Sequence, residues 1–155
     1  MDLSDLLSKD AVIARLKAKS KKQAIQELAA KAAELTGLSE REIFDTLLQR
    51  ERLGSTGVGH GIAIPHGKLT RLERLVGVFA KLDRPVDFDA LDEEPVDLVF
   101  LLLAPEGAGA DHLKALARIA RQLRDSVVTE GIRSAPDADG IYDLLIQPIA
   151  SSNAA

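Results

Sequence analysis

The apolar residues of the chain change period several times, and each change marks an element. Residues 11–16 (Ala-Val-Ile-Ala-Arg-Leu) are short, β-branched and roughly alternating, which predicts a strand. Ser20 is a helix-capping residue type, and after it Ile25, Leu28, Ala29, Ala32 and Leu35 recur at helical spacing up to Gly37, predicting a helix over residues 21–36. Ser39 with Glu42 three positions later forms a capping box, and Ile43, Phe44, Leu47 and Leu48 predict a second helix to about Arg52. Residues 75–82 and 96–103 are the strongest strand candidates; the second is nearly continuous in apolar residues, the pattern of a central strand covered on both faces. The polar connection between them is punctuated by Arg84-Pro85 and Glu94-Pro95 and has room for a short strand at residues 86–88.

Residues 106–110 read as a Gly/Ala loop, and residues 111–124 as an amphipathic helix carrying Leu113, Leu116, Ala117, Ala120 and Leu123. A short helix over about 129–134 and a final one over about 137–146 complete a domain set at residues 1–148, with 149–155 as a flexible tail. Helices before, between and after strands predict an α/β fold, a mixed β-sheet flanked by helices on both faces in a single domain.

One segment breaks this texture. Residues 54–61 (Gly-Ser-Thr-Gly-Val-Gly-His-Gly) hold four glycines in eight positions, and residues 62–68 (Ile-Ala-Ile-Pro-His-Gly-Lys) read as a strand ending at a turn. Nucleotide-binding motifs fail on spacing: a P-loop needs Lys-Ser/Thr where His60-Gly61 stands, and the third glycine of a dinucleotide fingerprint falls on Ile62. The glycine required two residues before a nucleophile-elbow serine is Leu53 relative to Ser55.

Composition narrows the chemistry further. The 155 residues carry 20 Lys and Arg against 24 Asp and Glu, a net charge of −4, with no Cys, no Trp and three His. Without cysteine there are no disulfides, thiolate zinc sites, iron–sulfur clusters or cysteine nucleophiles. The acidic excess and scarcity of aromatics give nucleic acid neither a basic stripe nor a stacking platform. Residues 1–10 lack the apolar stretch of a signal peptide, and the longest apolar run, residues 98–104, is well below the ~20 residues of a membrane span. A cytoplasmic protein without membrane insertion is expected. The candidate reactive side chains are then His60, His66 and His112.

His66 stands between Pro65, which fixes its own φ and pushes Ile64 toward an extended form, and Gly67, which puts no side chain beside the ring. A neutral imidazole on such a pedestal has a free lone pair and can act as nucleophile, base or ligand. His112 falls in the first turn of a predicted helix, where unpaired backbone N–H groups and the helix dipole favour an anion, and it shares a face with Leu116, Ile119 and Leu123. In an α/β sheet, helix starts and strand ends gather on one edge, so the two rings can meet. For each ring the alternative is a surface histidine. His60 lies on the same face as His66 if the strand is uninterrupted, and with Asp111 nearby a three-histidine zinc site is the rival arrangement. Arg50, the Ser55 and Thr56 hydroxyls and Lys68 add phosphate-compatible donors, or are solvated helix-end and turn residues.

The stretch from Arg50 to Lys68, Arg-Glu-Arg-Leu-Gly-Ser-Thr-Gly-Val-Gly-His-Gly-Ile-Ala-Ile-Pro-His-Gly-Lys, resembles the active-site signature of the fructose/mannitol type IIA domains of the bacterial phosphoenolpyruvate:sugar phosphotransferase system. The likeness continues through Val76-Gly-Val-Phe, Pro85-Val-Asp-Phe-Asp-Ala, Pro95-Val-Asp-Leu and His112-Leu, and it is strongest to the stand-alone nitrogen-regulatory branch. The absence of Cys agrees with a chain lacking a fused IIB domain.

The resemblance implies a mixed sheet flanked by helices, His66 as the phosphorylated nucleophile, and His112 and Arg50 as stabilisers of phosphate charge. Ser55, Thr56, Gly57 and Gly59 are the phosphate-loop candidates. His60 departs from a family pattern that commonly holds Asn or another small polar residue there, and no role is carried onto it. The implied donor is an HPr-like phosphocarrier, and the implied targets are regulated proteins such as potassium transporters or sensor kinases, in nitrogen and carbon metabolism and potassium homeostasis. The alternatives are a sugar-transport IIA component passing phosphate to a separate IIB protein and a zinc-dependent hydrolase. Transfer between two imidazoles of similar basicity requires no cofactor and no metal.

Overall fold

In the computed structural model, which describes residues 2–148, the five expected helices form; Ser20 and Ser39 cap the first two, only the Ser39 half of the expected capping box is made, and the short helix expected over about 129–134 starts earlier, at Ser126. Helix α1 (Lys21–Thr36) starts at Ser20, whose hydroxyl accepts the Gln23 N–H, and ends at Gly37 in the left-handed region at φ 75°. Helix α2 (Glu40–Leu53) starts at Ser39, which accepts the Glu42 N–H. Strand β1 (Val12–Leu16) precedes them.

The glycine-rich segment folds into strands β2 (Gly57–Gly59), β3 (Ile62–Ala63) and β4 (His66–Leu69). The long strands β5 (Val76–Val86) and β6 (Val96–Pro105) follow. Helix α3 (Ala110–Arg124) comes next, then α4 (Ser126–Ser134) and α5 (Ala138–Ile146), the last two capped by Asp125 and Asp137.

The six strands form one mixed sheet in the order β1-β5-β6-β3-β2, with β4 also paired to β6. Strands β5 and β6 are antiparallel, whereas β1 on β5, and both β3 and β4 on β6, are parallel. The period-2 alternation of β6 explains its continuous apolarity: Val99, Leu101 and Leu103 enter the core beneath α1 and α2, while Leu98, Phe100 and Leu102 enter the core beneath α3, α4 and α5. Helices therefore cover both faces, as the element order predicted. Within the described residues no helix is long and apolar enough to cross a membrane.

Several expectations change. No separate strand forms at residues 86–88, because β5 itself runs on to Val86. The strand expected over 62–68 is divided at Ile64-Pro65, yet β3 and β4 keep one register along β6, Ile62 opposite Leu98 and His66 opposite Leu102. Proline supplies no N–H to the ladder, although its carbonyl still accepts the Leu102 N–H at 2.9 Å. His66 consequently opens β4 instead of closing a strand. On α3 the buried side is His112, Ala115, Ile119 and Leu123; Leu113 is largely exposed, and Ala117 is exposed with it. The tail expected at 149–155 lies outside the described residues.

Candidate active site

Three layers bring their side chains together at β4. In a parallel pair, opposed residues share a face, so His66 points with Leu102 toward the α3 side and Gly67 points with Leu103 toward α2. On the α2 side, a Cβ added at Gly67 would lie 2.7 Å from Thr46 Cγ2; the missing side chain is what admits the helix so closely. One turn beyond Thr46 stands Arg50, whose guanidinium reaches the His66 ring from the opposite layer.

The His66 ring is held at both nitrogens. Nδ1 lies 2.9 Å from the Ile64 carbonyl, which can only accept, so Nδ1 carries the proton and Nε2 keeps the lone pair. Arg50 Nε–H donates to that Nε2 at 3.3 Å, and Arg50 Nη1 is anchored on the Gly54 carbonyl at 2.8 Å. Burial is the main influence holding the His66 ring below the ordinary histidine pKa; the bond to Ile64 opposes it, the Arg50 charge adds to it, and Glu51 opposes it. A neutral ring with its lone pair against a guanidinium has the chemistry a nucleophile beside an anion-binding group would need.

His112 closes the other side. It sits in the first turn of α3 at 7% exposure, and its ring meets that of His66 edge to face with centroids 5.7 Å apart. Its Nε2 is buried without a hydrogen-bond partner, which costs stability unless a ligand supplies the partner. Burial, then the His66 ring, then Lys68 lower its pKa. Helix α3 has Gly109 at its N-cap and is the one α-helix among the described residues without a side-chain cap; its His112 N–H bonds to the Gly109 carbonyl at 3.3 Å, and the Ala110 and Asp111 amides before it meet no capping side chain, the kind of donor an anion takes.

The loop candidates have other duties. Ser55 donates to the Phe88 carbonyl and accepts the Gly57 N–H at 3.0 Å. Thr56 is buried, and its hydroxyl donates to the Glu51 carboxylate, so neither hydroxyl is directed at a phosphate in this structure. At Gly57 a Cβ would lie 2.8 Å from the Ala90 Cβ, so this glycine admits the neighbouring 87–94 segment; Gly59, at φ 95°, lies against Asp92 in the same segment. His60 and Gly61 form the two-residue turn between β2 and β3, both at positive φ (57° and 80°). The exposed His60 donates its backbone N–H to Asp92, and its carbonyl accepts from Arg133. The turn interrupts the alternation that would have aligned His60 with His66. No group of three or more His, Cys, Asp or Glu among the described residues is arranged to hold a metal ion.

Sequence reasoning passed over Glu51 and Lys21, whose side chains pair at 2.7 Å behind the loop. The signal was present: Glu51 follows Ile43 and Leu47 at four-residue intervals, which places a carboxylate on the apolar stripe of α2.

Comparison with known proteins places the chain in a family and a fold. Residues 5–147 match the family model described as Phosphoenolpyruvate-dependent sugar phosphotransferase system, EIIA 2. A nitrogen regulatory protein of Bradyrhizobium diazoefficiens is 62% identical over 152 residues, covering 98% of this chain and 99% of that protein. The crystal structure of the nitrogen regulatory protein IIA-Ntr from Neisseria meningitidis superposes with a TM-score of 0.88 at 33% identity, over 92% of this chain and 98% of that one. The mannitol IIA of Escherichia coli superposes with a TM-score of 0.75 at 25% identity, over 89% and 97%. The chain belongs to the EIIA 2 family of the phosphoenolpyruvate-dependent sugar phosphotransferase system and, within it, is similar to the nitrogen regulatory proteins.

Proposed function

We propose that the protein is a phosphoryl carrier that takes a phosphoryl group onto His66 Nε2 from the phosphohistidine of an HPr-like donor and signals its phosphorylation state to regulated partners. The observation that carries this reading is the state of His66, with Nδ1–H tied to Ile64 and the Nε2 lone pair free of any proton and facing Arg50. In the transfer, the Nε2–P bond forms as the donor's N–P bond breaks, and that electron pair returns to the donor ring. Such a reaction asks for in-line positioning and for stabilisation of charge spread over three phosphoryl oxygens. Arg50 swings its N–H groups from Nε2 onto those oxygens, and His112 and the uncapped amides of α3 complete the cradle.

A phosphoryl group adds roughly −1.5 to −2 charges at this edge of the sheet, which changes the surfaces that dock there. Similarity to nitrogen regulatory proteins favours a regulatory output, with potassium transporters, sensor kinases and nitrogen or carbon regulators as the partner classes. The second reading, a transport component that hands phosphate to a separate IIB protein, is favoured by the likeness to a mannitol IIA.

Incubation with phosphorylated donor is expected to label the wild type with acid-labile, base-stable phosphate and to leave His66→Ala unlabelled. Arg50→Gln and His112→Asn are expected to slow labelling by about 100-fold or more, the usual effect of removing a charge-stabilising donor. Base-stable label persisting on His66→Ala overturns the assignment. Onward transfer to a IIB protein selects the transport role; a phosphorylated form that persists and alters binding to a regulator selects the signalling role.

A further inference from the structure

Glu51 is a carboxylate in a costly place. Its side chain is 5% exposed on the apolar stripe of α2, and the donors that meet it are Lys21 Nζ at 2.7 Å, the Thr56 N–H at 3.2 Å and the Thr56 hydroxyl. A buried ion pair of this kind is weak support for a fold, since apolar residues of similar volume commonly serve stability as well or better. Its consequence lies in what it holds. The Thr56 carbonyl accepts the Ile64 N–H at 3.0 Å, and the Ile64 carbonyl in turn accepts Nδ1–H of His66 at 2.9 Å. On the other side, Gly54, two residues before Thr56, accepts from Arg50 Nη1 at 2.8 Å. Lys21 also donates to the Phe88 carbonyl at 3.3 Å, where Ser55 donates as well, so the start of α1 is tied to the same loop.

We propose that Glu51, neutralised by Lys21, is a positioning residue for phosphoryl transfer: by anchoring Thr56 it sets the Ile64 carbonyl that keeps the proton on His66 Nδ1, and the Gly54 carbonyl that keeps Arg50 at Nε2. The role rests on the phosphoryl-carrier reading of His66 and extends it to residues that never touch the phosphate. It also accounts for the burial of the Thr56 hydroxyl, which acts through the loop and not on the ligand.

The test is the His66 ring itself, read by nitrogen NMR shifts that distinguish a protonated from an unprotonated ring nitrogen, beside kcat and KM for labelling by phosphorylated donor. The double variant Lys21→Met with Glu51→Met removes both charges at once and leaves no unpaired buried ion. It is expected to stay folded, to move the His66 ring nitrogens toward averaged tautomers, and to lose about 10- to 100-fold in kcat with KM within about twofold. Thr56→Val is expected to shift the ring signals and kcat in the same direction, and Thr56→Ser to restore both. Folded double and Thr56→Val variants with wild-type ring signals and wild-type kcat overturn the positioning role. If the double variant fails to fold, the Val and Ser pair at Thr56 decides the question alone. If no phosphorylated donor labels the wild type, the carrier reading falls, while the ring signals still decide whether Glu51 sets the tautomer.

Discussion

At the scale of single residues, the two histidines of the site are made different by what surrounds them. His66 has one nitrogen committed to a backbone carbonyl and the other to a guanidinium, whereas His112 has a buried Nε2 committed to nothing. The first arrangement leaves an unprotonated nitrogen of the kind a nucleophile needs; the second leaves a buried polar atom that an oxygen of a ligand would satisfy. His60 belongs to neither. Its φ of 57° places it in the left-handed region at the first position of a two-residue hairpin turn, where Asn followed by Gly is the favoured pair. His60→Asn is therefore expected to raise stability by roughly 0.5 kcal/mol in chemical denaturation and to leave labelling by phosphorylated donor unchanged. A loss of labelling in that variant would give His60 a part in the chemistry that its turn geometry does not require. The sequence singled out His66 and His112 because their neighbours, Pro65, Gly67 and a helix start, are local features. It passed over the hydrogen bonds of Ser55 and Thr56, whose partners Phe88 and Glu51 are chosen by folding.

At the scale of elements, the site depends on how near α2 comes to β4. Gly67 carries no side chain, so Thr46 Cγ2 occupies the space a Cβ would take, and Arg50 one turn later is brought within reach of His66. Gly67→Ala is expected to push the helix outward, to cost about 1–3 kcal/mol from overpacking, and to slow labelling by separating Arg50 from Nε2. Adding Thr46→Ser removes the obstructing methyl while keeping the hydroxyl that donates to the Glu42 carbonyl, and is expected to recover much of both losses. Denaturant titration and labelling kinetics on the two variants check this; unchanged labelling in Gly67→Ala would show that Arg50 does not depend on this close approach. The same scale explains the misplacement of Leu113 on α3. Leu113 is apolar yet exposed, so it does not belong to the buried stripe, whereas His112 is buried on the face expected for it with Ile119 and Leu123.

At the scale of the whole molecule, folding buries the His112 imidazole and partly buries that of His66, both exposed in the unfolded chain, and this couples the site to stability. Both rings have pKa values lowered from the ordinary 6.5, chiefly by burial. Below about pH 6.5 the unfolded chain binds protons that the folded protein still refuses, so stability falls as pH falls, until the folded rings protonate in their turn. Above that pH both states are neutral at these sites and the contribution is fully present. Denaturant titrations at about pH 7.5 and about pH 5.5 are expected to show a smaller drop for His112→Gln than for the wild type; an equal drop would assign the pH dependence to other groups. Periodicity, caps and glycine stops were enough to place α1, α2, α3, α5 and the long strands, because each rests on interactions within a few residues along the chain. That His66 and the helix-borne His112 were candidates to meet was legible for the same reason, and the structure brings their rings together. What only the tertiary structure decided was the tautomer of His66, the approach of Arg50 through the gap at Gly67, and the Lys21–Glu51–Thr56 anchor behind the loop. Those depend on contacts between separate layers of the fold, and no local pattern records where a side chain from one layer will meet a carbonyl of another.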